Sequence, residues 1–148
     1  MLCRGLGYEC VDGGSTRWEK SGIEKSKEPD CSFYLANEPL VRGMKDIKLD
    51  ESPPPDLAVE VVIAHPLADA FKVYAALCVP EVWTYDGDSL RFFHLGVDGS
   101  YVERDSSLGF PMLRAEEARE RLATADEMIL VRWTVAIEEW ARRELATR

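Results

Sequence analysis

The chain has 148 residues, 46% hydrophobic and 30% charged, with 18 Lys and Arg against 27 Asp and Glu and a formal net charge of −9. That length suits one domain spanning 1–148, able to bury roughly 70% of its unfolded surface. The acidic balance argues against a broad electrostatic grip on nucleic acid, which Lys and Arg drive, but leaves room for metal ions and a local basic patch to offset the acids. No apolar run is long enough to span a membrane. Cys3, Cys10, Cys31 and Cys78 show no C-x-x-C spacing, and MLCRGLGYEC holds no apolar signal core. The expectation is four reduced thiols in a cytoplasmic protein, with no zinc site and no membrane.

Residues 1–28 are glycine-rich and sustain no period; Tyr8–Val11 reads as a short strand with Asp12-Gly13-Gly14 as its turn. PDCSFYL, residues 29–35, alternates as a strand, with Cys31, Phe33 and Leu35 on one side and Ser32 and Tyr34 on the other. A charged connection over 38–52 leads to three prolines at 53–55, which leave the chain extended. DLAVEVVI then reads as a strand buried on both faces, rich in β-branched residues.

Two acids, Asp56 and Glu60, interrupt that apolar run. Four residues apart on a strand of period two, they point to the same side. Burying an isolated carboxylate is costly unless it is paired or holds a cation, so a metal site is one explanation. A buried salt bridge is the structural alternative for Glu60. Asp56 also reads as a cap at the strand entrance, and Asp30, after Pro29, as a turn residue with local hydrogen bonds.

After His65-Pro66, the residues Leu67, Phe71, Tyr74, Ala75 and Cys78 mark one face of a helix that Val79-Pro80 stops. EVWTYD reads as a third strand with Val82 and Thr84 opposite Glu81, Trp83 and Tyr85. SLRFFHL returns as a fourth across Asp86-Gly87-Asp88, and Tyr101-Val102 follows a further turn. His94 reads as a strand residue at a sheet surface, and Trp83 and Tyr85 as packing residues. Arg114–Leu122 is a short helix. Thr124-x-x-Glu127 matches a capping box opening a longer amphipathic helix, about 125–146, with Ile129, Trp133, Ala136, Ile137, Trp140 and Ala141 on one face. The order β-β-α-β-β-(β)-α-α predicts an α/β or α+β layer fold, helices on a mixed sheet.

Three ordered blocks carry a resemblance: GIEKSKEPDCSFYLAN, PPPDLAVEV and VYAALCVPEVWTYDG, with FFHLGVDGSYVERDSSLGFPML as a compatible tail. In these the chain resembles the Uma2 family of restriction-endonuclease-like domains. The resemblance implies a PD-(D/E)XK core, a mixed sheet flanked by helices, and an endonuclease that hydrolyses DNA phosphodiester bonds. It assigns the motif acids to Asp30 and Glu60, with Asp56 just before. Such carboxylates suit Mg²⁺, or Mn²⁺, which activates water and neutralises phosphate charge. The carbonyl of Val61 is a candidate further ligand.

Two departures stand beside the match. The lysine of the pattern, two residues after the acid, is Val62 here; the position on the following helix that often carries a basic residue is Ala70. Lys72, two residues later, is the candidate catalytic cation, although about 200° round the helix from Ala70, and a solvated surface lysine is its structural alternative. Family members of this shape also carry a further helix and strand before the first block. The expectation is therefore an N-terminally shortened domain with an exposed sheet edge, for which a homodimer is one outcome. The alternative function is a catalytically inactive nuclease-like fold serving as an interaction module.

Overall fold

The computed structural model describes residues 1–14, 28–62 and 67–148. Expectations about His65 and Pro66 lie outside them. Helix α1 (Leu2–Leu6) leads to strand β1 (Val11–Asp12), then β2 (Cys31–Tyr34), α2 (Glu38–Val41) and β3 (Leu57–Val61). Helix α3 (Leu67–Ala76) crosses to β4 (Glu81–Tyr85), followed by β5 (Leu90–Leu95), β6 (Tyr101–Arg104), α4 (Ala115–Ala123) and α5 (Leu130–Trp140). The six strands form one sheet in chain order. All neighbours are antiparallel except β3 and β4, whose parallel pairing runs from Leu57–Glu81 to Val61–Tyr85. Parallel strands need a crossover, and α3 supplies it.

The pleat sorts the core into two halves. On one face, Tyr34, Ala58 and Val82 pack with Val73 and Tyr74 of α3 and with Leu77 just after it. On the other, Phe92 packs with Phe110, Leu113, Ile137 and Trp140, and α1 joins through Cys3. The result is a restriction-endonuclease-like α/β arrangement, a mixed sheet between helical layers. Each fully buried aromatic or aliphatic side chain contributes about 1.5–3 kcal/mol. Burial also pushes the Cys3 thiol up to about 12, helped by Cys10.

The middle strands match the sequence reading closely: β4 presents Val82 and Thr84 to one face, with Glu81 and Trp83 turned to the other. Trp83 stacks on Phe92 at 4.4 Å, as a packing residue. Strand β3 is buried at Leu57, Ala58 and Glu60, but Val61 is 46% exposed, so the run opens to solvent at its C-terminal end.

Other expectations need correction. Residues 2–6 are helical, and β1 is limited to Val11–Asp12. The buried stripe of α3 is Val73, Tyr74 and Leu77, flanked by Ala70 and Phe71; Cys78, at φ 61°, ends the helix in a left-handed turn and is exposed. Thr124–Glu127 is a 3-10 turn, not a capping box. Thr124 Oγ1 donates to the Arg121 carbonyl (2.7 Å) and lies 3.2 Å from Trp133 Nε1. Helix α5 starts five residues later, at Leu130, and ends in a π-helical turn over Ala141–Leu145, leaving Ile129 67% exposed.

Helix α1 touches α5 through Gly5. A Cβ there would lie 2.6 Å from both the Ala141 Cβ and the Glu138 carbonyl oxygen. In an open helix Gly→Ala gains about 1 kcal/mol. Here the contact is with backbone that must shift, so Gly5→Ala is expected to lose about 1–3 kcal/mol in urea unfolding. An increase in stability would show that α1 does not dock as described.

Candidate active site at the open end of the central strands

Asp30 enters β2 and Glu60 lies near the end of β3. The antiparallel register pairs Cys31 with Val59, so the next pair outward is Asp30 with Glu60. Directly opposed residues have Cα atoms about 4.5–5.5 Å apart and side chains on one face. Asp30 is exposed and is anchored to β3, its Oδ2 accepting the Val61 amide at 2.6 Å. Glu60 is buried, and its Oε1 accepts a hydrogen bond from the Tyr74 hydroxyl of α3. Burial, reinforced by the Glu60 hydrogen bond and by the charges of Glu60 and Asp30, holds the Tyr74 hydroxyl far above its ordinary range and so protonated as the donor. Both carboxylates thus bear on one hydroxyl.

Thr84 lies beside Glu60 across the parallel pair, and Arg91 lies opposite Thr84 on β5. Asp30, Glu60, Thr84 and Arg91 therefore form one cross-strand row. Exposed Val61 and Asp30 make its β2–β3 end accessible from solvent.

The other two residues singled out by the sequence stand elsewhere. Asp56 is four residues before Glu60, about 13 Å along an extended chain. Its Oδ2 accepts the amides of Leu35 (2.7 Å) and Asn37 (2.9 Å), and its Oδ1 accepts the Asn37 side-chain amide (3.0 Å). It clamps the turn after β2. Lys72 extends from the exposed side of α3 and pairs with Asp69 at 3.1 Å. Tyr74, two residues on and 200° round the helix, is the one that reaches the acid. Among the described residues no group of three or more His, Cys, Asp or Glu could hold a metal ion. A two-carboxylate site is what the acids offer, which suits Mg²⁺, an ion that keeps several waters.

Sequence reasoning gave Glu81 no role, although it is the most enclosed acid among the described residues. It is fully buried at the start of β4, on the sheet face opposite Glu60. Its Oε1 accepts Trp83 Nε1 (2.8 Å) and the Leu108 amide (3.0 Å); its Oε2 accepts the Gly109 amide (2.9 Å) and the Ser107 hydroxyl (3.2 Å). His94 Nε2 stands 3.7 Å away without a hydrogen bond. A Cβ at Gly109 would lie 2.5 Å from Leu35 Cδ1, so a larger residue there would displace the Leu35 side chain. The signal was available: Glu81 is an acid in a buried apolar strand, the argument already applied to Glu60.

The mixed sheet and its crossover helix are those of a restriction-endonuclease-like domain. The Uma2 family, described as "Putative restriction endonuclease", matches residues 2–125, and the chain belongs to it. No curated protein and no solved structure matches. No helix among the described residues is long and apolar enough to cross a membrane.

Replacing Glu81 by Ala strands several buried donors at once, at about 1–3 kcal/mol each. Glu81→Ala is expected to lose at least about 3 kcal/mol in urea unfolding, against under about 0.5 kcal/mol for an exposed control such as Glu103→Ala. Equal stability of the two would contradict the enclosure described.

Proposed function

We propose that the chain is a Mg²⁺-dependent endonuclease hydrolysing DNA phosphodiester bonds, with Asp30 and Glu60 as the metal-binding acids. The observation that carries this reading is the register that sets Asp30 opposite Glu60 across β2 and β3 at a solvent-open strand end, in a member of a family described as "Putative restriction endonuclease". The donor set is all oxygen, which fits a hard divalent cation and disfavours zinc. When bound, such an ion would lower the pKa of a coordinated water and offset phosphate charge. The chain itself does the positioning. The Val61 amide fixes Asp30, and the Tyr74 hydroxyl fixes Glu60. Hydrolysis forms a bond from water oxygen to phosphorus and breaks the bond to the sugar oxygen, which leaves with a proton.

A cytoplasmic location accords with four free cysteines, of which three are exposed. An inactive interaction module is the second reading. It is favoured by the absence of a basic side chain at Val62 and Ala70 and by the outward pairing of Lys72.

The two readings separate on supercoiled plasmid with Mg²⁺. Glu60→Ala is expected to slow nicking at least about 100-fold relative to wild type. Equal rates would remove the nuclease assignment. Outer partners of metal ligands typically contribute 10–100-fold in affinity. Tyr74→Phe should therefore weaken Mn²⁺ binding in calorimetry by roughly that factor, while retaining the fold. Unchanged affinity would show that the hydroxyl does not support a metal ligand.

A further inference from the structure

Phosphoryl transfer needs a cation facing the phosphate, and neither position that usually carries one is basic here. The register shows where another comes from. β3 and β4 pair Val61 with Tyr85, and the ladder continues with the Val62 amide donating to the Tyr85 carbonyl at 2.7 Å. The residue level with Val62 on β4 is therefore Asp86. Arg91 stands opposite Thr84, diagonally from Asp86 on the same face, and its guanidinium lies 3.9 Å from the Asp86 carboxylate. That places a positive group one strand away from the side chain of Val62.

The face is the one that carries Glu60. Thr84 is level with Glu60, Arg91 is level with Thr84, and Phe93, two residues on from Arg91, packs at a tilt against Phe71 of α3, ring centroids 4.9 Å apart. Strand spacing puts the Arg91 and Glu60 backbones about 10 Å apart. Strands β3 to β6 carry one other Lys or Arg, Arg104, which is level with Phe92 and so faces away. The Arg91–Asp86 pair is about half exposed on both sides, 47% and 41%, and longer than a hydrogen bond. Exposed pairs of this kind hold a side chain weakly, so the guanidinium is available to an incoming phosphate. Its planar fork suits two phosphate oxygens at once.

We infer that Arg91 is the phosphate-contacting cation of this site, taking the role that the motif assigns to a lysine at the place of Val62. This rests on the reading of Asp30 and Glu60 as the metal-binding acids. In it, Arg91 binds a non-bridging phosphate oxygen beside the scissile bond and stabilises the charge that develops there.

The test compares wild type, Glu60→Ala, Arg91→Ala, Arg91→Lys and Asp86→Asn in plasmid nicking with Mg²⁺, and titrates each with Mn²⁺ alone in calorimetry. Arg91→Ala is expected to slow nicking about 100-fold, the usual effect of one stabilising donor, and to bind Mn²⁺ as wild type does. Arg91→Lys should recover part of the rate, and Asp86→Asn should nick at least as fast as wild type. If Arg91→Ala nicks like wild type while Glu60→Ala does not, Arg91 has no such role and the acids keep theirs. Loss of both nicking and Mn²⁺ binding in Arg91→Ala would make it a structural residue and overturn the inference. If wild type nicks no faster than Glu60→Ala, the reading of the acids fails, and the role of Arg91 fails with it.

Discussion

The Tyr74–Glu60 hydrogen bond is the constraint on which the candidate site depends. A carboxylate on the apolar face of β3 is costly to bury without a donor. The donor comes from the crossover helix, so α3 must sit where Ala70 and Phe71, one turn before Tyr74, pack while Tyr74 reaches down to β3. That placement follows from the parallel pairing of β3 and β4, which forces the chain to cross the sheet face between them. Moving α3 would thus expose an acid as well as apolar surface. Sheet topology, helix position and acid orientation are one arrangement.

The sheet holds two buried glutamates, and their surroundings differ. Glu81 is enclosed by two consecutive loop amides, a serine and a tryptophan. With its lone pairs committed to fixed donors, it pins the loop at residues 107–109 to the sheet. Glu60 lies beside Asp30 and Val61, both open to solvent, and a tyrosine hydroxyl is its partner from the helix side. Closed and multiply hydrogen-bonded suits structure; adjacent to a second acid and to solvent suits a cation.

Much of the scaffold was legible in the residues. Strand β4 stands out because β-branched and aromatic residues alternate between Pro80 and the Asp86–Asp88 turn, and β5 follows that turn; both signals act locally. The opposition of Asp30 and Glu60 came from a family pattern, not from periodicity, since nothing in the spacing of 30 and 60 fixes a register. Periodicity misplaces the phase of α3 because Cys78 looks apolar and helical, whereas its left-handed backbone lies beyond the helix end. Backbone partners were the main blind spot. The amides of Leu35 and Asn37 on Asp56, and those of Leu108 and Gly109 on Glu81, have no side-chain signature. An acid held by amides therefore reads in sequence like an acid awaiting a metal.

The central claim is that Asp30 and Glu60 share one divalent cation. The most direct measurement is a crystal of the protein soaked in Mn²⁺, with anomalous scattering recorded at the manganese edge. A shared cation predicts a peak at coordination distance from both carboxylates, with the Tyr74 hydroxyl still on Glu60. An anomalous map with no peak between these two side chains, or with manganese bound only elsewhere, would contradict it.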